Sequence, residues 1–332
     1  MKTILLLITI ILVLLTILIL VLKPLTVGAK VVLLVSQEFP QVPFKPLHNI
    51  TPKPRVEKVE FGEQKIVGDL FIPQNTNKKP AIIVAMGVKT SDKDRPVLLG
   101  FCDTLARLGY VVLWPRSENL EKDIIKFEEP QTFVDAFSFL EERDDVDKDK
   151  ISFVGFSVGS SLTLVASEDN KINEKVRSLV FFGGYYNITD YLSSLSTKEI
   201  ILDKKTIKWE PAKSAVDHAQ EILEKEGSTL DMFDKKSPLD PDLTKKLLRF
   251  SPDQNIDSLK ANIFILHEKS DTFVPHIESI KLKQALEKKG APMDFHQANL
   301  FEHVQPKNVV SFEIVKELLG LFAFLHKVFM YL

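Results

Sequence analysis

The sequence predicts an α/β fold in which a mostly parallel sheet is covered by helices on both faces. Two observations carry this prediction. Short, continuous apolar runs such as residues 81–85 are typical of strands buried on both faces. Segments with apolar residues at helical spacing, such as residues 95–108, lie between those runs. The chain has 332 residues, 45% of them hydrophobic, which is enough to build one large core.

The elements follow from the local patterns in chain order. Residues 56–61 and 65–72 alternate polar and apolar side chains around Gly62, which predicts a hairpin. Helical spacing predicts helices over residues 95–108, 130–142, 160–166 and 311–332. Buried strands are predicted at 81–85, 110–114, 150–154, 176–182, 262–266 and 293–297. Residues 187–258 are too long for a loop and contain helical patterns, so we expect a helical cap inserted in the domain.

The N-terminus predicts a membrane segment. Residues 3–22 are all Ile, Leu, Val or Thr, and twenty helical residues span about 30 Å, the thickness of a bilayer core. We therefore expect a single-pass transmembrane helix over residues 1–24 that acts as a signal anchor. The alternative is a signal peptide cleaved near Ala29, which would give a secreted form. Charges flanking the run are nearly balanced, and we favour the main domain on the extracytoplasmic side.

The next segment predicts a tether and fixes the domain boundary. Residues 37–55 contain five prolines and few periodic apolar positions, so residues 25–55 are expected to form a linker. The folded domain then occupies residues 56–332.

Composition excludes several function classes. The chain has 43 Lys+Arg against 45 Asp+Glu, and this balance argues against a nucleic-acid partner. Its one cysteine, Cys102, excludes an internal disulfide and a multi-cysteine zinc site. No histidine pair has metal-ligand spacing and no phosphate-binding glycine loop is present, so no metal and no cofactor are expected.

One motif carries chemistry. Gly155-Phe156-Ser157-Val158-Gly159 is a G-x-S-x-G sequence that directly follows a predicted strand and precedes a predicted helix. In such a turn the serine hydroxyl projects from the carboxyl edge of the sheet, and small neighbours leave room for the strained backbone. Ser157 is therefore a candidate nucleophile, and the backbone N–H of Val158 can stabilise an oxyanion.

On this motif, residues 56–330 resemble the α/β-hydrolase superfamily, nearest to dienelactone-hydrolase-like and prolyl-oligopeptidase-like serine hydrolases. The segment from His267 to Pro275 resembles that family's H-G-x-x-D-x-x-V-P, which implies Asp271 as the triad acid. It departs from the pattern in having Glu268 where the family has Gly. Met86-Gly87-Val88 stands where the family reads H-G-x, which implies Val88 N–H as the second oxyanion donor despite the missing histidine.

The family order of nucleophile, acid and histidine requires a base after Asp271. Four histidines follow it. One is too close to the acid in the chain, one lies inside a predicted strand, and one lies late in the terminal helix, namely His276, His296 and His326. His303 follows the last predicted strand in a loop, where the family's base resides. It is the candidate base that takes the proton of Ser157 and returns it to the leaving group.

These residues predict a membrane-anchored serine hydrolase that cleaves carboxylic esters through an acyl-enzyme. Its expected partner is a small ester or acyl substrate, and aromatic residues that end the fourth buried strand are candidates to bind it, namely Phe182, Tyr185 and Tyr186. Three alternatives stay open: a serine peptidase or an acyltransferase that uses the same triad, and a hydrolase-like fold that binds without catalysis.

Overall fold

The computed structural model describes residues 22–40, 42–74, 77–87, 95–117, 129–234, 239–307 and 312–332. Its strands, in chain order, are β1 (Arg55–Phe61), β2 (Ile66–Ile72), β3 (Lys79–Ala85), β4 (Val111–Arg116), β5 (Val146–Phe156), β6 (Ser178–Phe182), β7 (Glu199–Leu202), β8 (Lys205–Lys208), β9 (Asn262–Glu268), β10 (Met293–Ala298), β11 (Phe301–Glu302) and β12 (Gln305–Pro306). Its principal helices are α1 (22–38), α2 (Arg95–Arg107), α3 (Glu129–Glu142), α4 (Val158–Ala166), α5 (Ile188–Thr197), α6 (Lys213–Lys225), α7 (Pro241–Leu248), α8 (Ile277–Lys289) and α9 (Phe312–Tyr331).

Eight of these strands form one sheet in the order β1-β2-β4-β3-β5-β6-β9-β10. The first hairpin is antiparallel and β2 pairs antiparallel with β4, whereas every pair from β4 to β10 is parallel. The sheet is therefore mostly parallel, as predicted. Parallel neighbours send their carboxyl ends to the same edge, so β5, β6 and β9 deliver the segments that follow them to one place.

Each face of the sheet buries its own apolar cluster. The helices α3, α4 and α8 cover one face together with the cap, and α1, α2 and α9 cover the other. Strand β6 shows how a buried strand serves both clusters, because Phe181 belongs to the first and Phe182 to the second. Its residues alternate between the faces, as the twofold repeat of a strand requires.

The segment after the apolar N-terminal run differs from the predicted linker. Residues 22–38 form the helix α1, which buries Val27, Val31 and Leu34 against the cluster that contains α9. His326 Nε2 lies 3.1 Å from the Pro24 carbonyl oxygen and joins the two helices. Apolar residues at helical spacing explain this packing, and the prolines that suggested an extended tether begin only at position 40.

The predicted transmembrane helix lies almost wholly outside the described residues, since only its last residues belong to α1. In the part of the chain that is described, no helix combines the length and the apolar character that crossing a bilayer requires.

The inserted cap lies between β6 and β9 and is mostly helical, as its sequence suggests. It contains α5, α6 and α7, together with the small antiparallel hairpin β7-β8 that the sequence patterns did not predict. Asn187 caps α5 by accepting a hydrogen bond from the Asp190 N–H, and Asp240 caps α7 in the same way through the Leu243 N–H.

Candidate active site

Ser157 lies at the sharp turn between β5 and α4. Its backbone has φ 52° and ψ −135°, a left-handed conformation that is costly for a residue with a side chain. Hydrogen bonds hold the turn on both sides, since Ser157 N donates to the Phe182 carbonyl at 2.8 Å and Ser160 N donates to the Ser157 carbonyl at 2.9 Å. The strain is thus maintained by the neighbouring strand β6 and by the first turn of the helix.

The two flanking glycines of the motif are required by close backbone approach. A Cβ atom on Gly155 would lie 2.4 Å from the Ser160 Cα, and one on Gly159 would lie 2.4 Å from the Met86 carbonyl oxygen. Neither neighbour is the flexible end of a side chain. The G-x-S-x-G pattern therefore reflects how tightly α4 packs against β3 and β5.

Asp271 and His303 form a hydrogen-bonded pair, with His303 Nδ1 2.7 Å from Asp271 Oδ2. The acid follows β9, and its Oδ1 accepts from the backbone N–H groups of Phe273 and Val274 at 2.7 and 3.0 Å. The histidine occupies the first central position of the tight turn between β11 and β12, with φ 56°. Phe273 stacks on the imidazole with 5.0 Å between ring centroids and fixes its plane.

The carboxyl group of Asp271 is held ionised although it is buried. Burial acts to raise its pKa, but hydrogen bonds from His267 and His303 outweigh burial and hold the pKa of Asp271 well below its usual range. His267 is itself fully buried, with Nε2 3.3 Å from Asp271 Oδ2 and 3.0 Å from the Val274 carbonyl. A negative charge at this point orients the His303 imidazole through its Nδ1.

Glu268 ties the strand that precedes Asp271 to the segment that carries His303. Its Oε2 accepts from Phe301 N–H at 2.9 Å, and its Oε1 accepts from Lys307 Nζ at 3.1 Å and from Ser270 Oγ at 2.8 Å. The side chain is almost fully buried. The departure from the family's Gly thus supplies a carboxylate clamp across the base of the β11-β12 hairpin.

The backbone beside Ser157 offers one of the two N–H donors expected for an oxyanion site. Val158 N–H opens α4, and the first N–H groups of a helix have no intrahelical acceptor. Gly87 lies against the hydroxyl, since a Cβ on it would be 3.2 Å from Ser157 Oγ and 3.4 Å from Val158 N. The predicted second donor, Val88, lies outside the described residues.

One cavity of about 450 Å³ lies between the cap and the carboxyl edge of the sheet. Ser157, Val158, Gly87 and His303 all line it, so the nucleophile and base candidates face the same space. The acid lies behind the histidine and is not part of the lining. The cap supplies most of the remaining wall, through apolar side chains of α5, α6 and α7.

Of the three aromatic residues predicted to bind substrate, Tyr185 alone lines this cavity, where it stacks on Tyr191 with ring centroids 5.5 Å apart. Phe182 packs between Phe156 and Phe301 on the opposite face of the sheet, because alternation along β6 turns it away. Tyr186 lies beyond the cavity wall, and its backbone N–H donates to Glu278.

The other histidines after the acid occupy different places. His296 lies in β10 and stacks on Phe324 of α9, and His276 directly precedes α8. Sequence reasoning assigned no supporting role to three residues that the structure places around the site, namely His267, Glu268 and Trp209. Trp209 Nε1–H donates to the Asp271 carbonyl at 3.0 Å. His267 and Glu268 end β9, four and three residues before Asp271, and both are buried. A pattern of residue types does not show what a buried side chain contacts.

Comparisons with known proteins support the fold. The sequence matches no family model, and no curated protein matches it. Among solved structures, similar folds occur in the acylaminoacyl peptidase of Pyrococcus horikoshii, with TM-score 0.53, 14% identity and coverage of 80% of this chain and 40% of that one. Dipeptidyl peptidase 4 of Porphyromonas gingivalis has a TM-score of 0.54 and 14% identity, with coverage of 83% of this chain and 35% of that one. A puromycin-hydrolyzing peptidase of Mycobacterium tuberculosis has a TM-score of 0.55 and 14% identity, with coverage of 88% of this chain and 41% of that one.

This chain spans about two fifths of the length of those structures. Identities this low establish a shared fold rather than a shared activity. The strand order of the sheet, the turn that carries Ser157 and these similarities together show that the chain has the α/β-hydrolase fold.

Proposed function

We propose that the protein is a serine hydrolase that cleaves carboxylic esters through an acyl-enzyme. The observation that carries the proposal is the Asp271–His303 pair, which opens onto the same cavity as Ser157 on its strained turn. Asp271 holds the imidazole with Nε2 toward the cavity. His303 then removes the proton of Ser157 as the hydroxyl attacks the ester carbonyl.

The remaining steps follow from the same groups. Val158 N–H and a backbone N–H after Gly87, which we assign to Val88, receive the oxyanion of the tetrahedral intermediate. His303 gives its proton to the departing alcohol, and Ser157 is left acylated. Water, deprotonated by His303, attacks the acyl carbonyl and releases the acid. The ionised Asp271 stabilises the imidazolium in both halves of the reaction.

An apolar cavity supports an ester rather than a peptide substrate. A peptide brings backbone N–H and C=O groups that need hydrogen-bond partners, and burying them without partners is costly. The cap side chains that line the cavity are mostly aliphatic. The second candidate is a peptidase that uses the same triad, and the similarity of fold to several peptidases supports it.

A paired kinetic assay separates these candidates. Hydrolysis of p-nitrophenyl butanoate is compared with that of aminoacyl p-nitroanilides, for the full chain and for Ser157→Ala. We expect ester cleavage that Ser157→Ala abolishes, with anilide cleavage at least about a hundredfold slower. Faster Ser157-dependent cleavage of the anilides would establish the peptidase instead. Cleavage of neither substrate by the folded protein would favour the binding protein without catalysis.

We propose further that residues 1–24 anchor this domain in a membrane, with the domain on the extracytoplasmic side. The apolar run of residues 3–22 supports an anchor, and Leu22 and Leu25 in the described part of α1 are exposed. Retention of the full chain in the membrane pellet after alkaline carbonate extraction tests the anchor, and protease accessibility in intact cells tests the side. Release of the full chain into the supernatant would contradict the anchor. A mature protein whose N-terminus lies near residue 30 would establish cleavage of a signal peptide instead.

A further inference from the structure

The cavity has a direction, because α6 runs along it from the acid outward. Near the start of the helix, Ala212 N–H donates to the Thr272 carbonyl at 2.8 Å, which ties that end to the residue after Asp271. At the other end, Glu226 pairs with Lys246 at 2.8 Å, and both side chains are partly exposed. Both also line the cavity, so the cavity extends from the catalytic centre toward this ion pair.

The wall between these ends is mostly apolar and is shaped by two small residues. Ala215 and Ala219 stand one helical turn apart on α6, both are buried, and both line the cavity. Larger side chains there would occupy the space that the alanines leave open. The rest of this stretch is mostly aliphatic or aromatic and comes from α5, α6, α7 and the residues after α7, namely Leu192, Ile222, Leu223, Leu243, Leu247 and Phe250. The half-buried His218 of α6 also lines it.

The length of this apolar stretch follows from helix geometry. Ala215 and Leu223 are eight residues apart, which corresponds to about 12 Å at about 1.5 Å per residue. An extended chain advances about 3.5 Å for every three bonds. The stretch therefore matches about ten bonds of a straight aliphatic chain.

Apart from His218 and the Glu226–Lys246 pair, the polar side chains of the lining near the catalytic centre lie beside the candidate base. Glu302 and Gln305 belong to the same tight hairpin as His303, and both are exposed or nearly so. His303 protonates the leaving alcohol, so the alcohol departs on this polar side. The apolar stretch along α6 is then left for the acyl group.

On the proposed function, we infer that the substrates are esters of a straight fatty acid of about ten carbons with a small, polar alcohol. The acyl chain lies along α6 past Ala215 and Ala219, and its far end approaches the Glu226–Lys246 pair. Each buried methylene contributes about a fourfold gain in kcat/KM as an upper bound. The gain ends where the apolar wall ends.

The test uses the full chain in a bile-salt detergent, which has no flexible alkyl chain to compete. Values of kcat/KM are measured for p-nitrophenyl esters from butanoate to hexadecanoate. Ala219→Phe is expected to lower the ratio of decanoate to butanoate hydrolysis by at least about fiftyfold. Ala219→Leu gives a smaller loss and serves if the Phe variant does not fold. Ser214→Phe, at an exposed neighbouring position on α6, is the matched control and is expected to leave the chain-length profile unchanged.

The outcomes separate this inference from the proposed function. A wild-type profile that does not rise with acyl length, or an Ala219→Phe variant with an unchanged profile, would overturn the acyl site while esterase activity stands. Butanoate esters with alcohols of increasing length form a second series. If kcat/KM rises with the length of the alcohol instead of the acyl chain, the assignment of the chain to the acyl side is overturned. Absence of Ser157-dependent butanoate hydrolysis would overturn the proposed function, and this inference with it.

Discussion

Replacing Glu268 by Ala tests whether the clamp at the base of the β11-β12 hairpin positions the histidine. The carboxylate is buried and joins β9 to Phe301 and Lys307, which stand on either side of His303 in the chain. It does not line the cavity and has no contact with substrate in this arrangement. The variant should therefore change the rate of the chemical step more than it changes substrate binding.

The size of the effect follows from the bonds that are lost. Removing the carboxylate leaves the buried Phe301 N–H without its acceptor, at a cost of about 1–3 kcal/mol. Lys307 is a quarter exposed and can be hydrated, so it adds little. If the attached hairpin becomes less stable by about 2 kcal/mol relative to a detached one, the fraction of enzyme with His303 in place falls by up to about 30-fold, at about 1.4 kcal/mol for each tenfold change. We expect kcat to fall by up to about that factor, with KM changed less than about twofold.

The assay is the hydrolysis of p-nitrophenyl butanoate, with circular dichroism to show that the variant is folded. Glu268→Gln keeps one acceptor oxygen for Phe301 N–H and should recover most of kcat. Glu287→Gln removes an exposed ion pair with Lys283 on α8 and serves as the control without effect. A folded Glu268→Ala enzyme with wild-type kcat, or a change confined to KM, would refute a positioning role.

Three further outcomes are expected. Gly159→Ala should cost about 1–3 kcal/mol of stability and remove activity through contact with Met86, whereas Gly100→Ala, which meets no atom within 4 Å, should cost nothing; urea unfolding measures both. Burial raises the pKa of Glu168 to about 9, and neither carboxyl oxygen has a hydrogen-bond partner among the described residues. The free energy of unfolding should therefore fall as pH rises from about 4.5 to 9. Glu168→Gln should raise it by about 3 kcal/mol at pH 7 but by little at pH 4. Deleting residues 1–36 should lower the free energy of unfolding by roughly 5 kcal/mol relative to deleting residues 1–21, because the domain then loses the buried side chains of Val27, Val31 and Leu34. Thermal melts of the two truncated proteins measure the difference.

Contrary results would be equally clear. An unstable Gly100→Ala variant would show that open space around a glycine does not predict tolerance of a Cβ atom, since alanine also favours a helix more than glycine does. A pH-independent difference between wild type and Glu168→Gln would show that the carboxyl is not held neutral in the folded protein. Equal melting temperatures for the two truncations would show that α1 contributes no stability to the domain.

The strands of the main sheet were predictable because each is a continuous apolar run between turn residues. The predicted strand at 81–85 lies inside Lys79–Ala85, and the one at 262–266 lies inside Asn262–Glu268. Such runs carry their signal within five residues and need no knowledge of what packs on them. The hairpin β11-β12 was missed because strands of two residues are too short to show any alternation.

The site was predictable only where a backbone constraint leaves a mark on the sequence. The turn at Ser157 requires two glycines, and these are visible. The direction of a side chain on a fully buried strand is not visible in the sequence, because both faces of the sheet are apolar. Phe182 ends β6 and Tyr185 follows it, and the sequence did not show that Phe182 packs away from the cavity whereas Tyr185 lines it. The roles of His267 and Glu268 depend on contacts with segments up to about 40 residues away, which no local pattern encodes.

The central claim is that His303 activates Ser157 for attack. Reaction of the full chain with a fluorophosphonate, followed by peptide mass spectrometry, tests it most directly, because the reagent bonds only to an activated nucleophile. We expect one adduct on Ser157, absent in Ser157→Ala and formed at least about a hundredfold more slowly in His303→Ala. An adduct on another residue, or labelling of Ser157 at an unchanged rate without the imidazole, would contradict the claim.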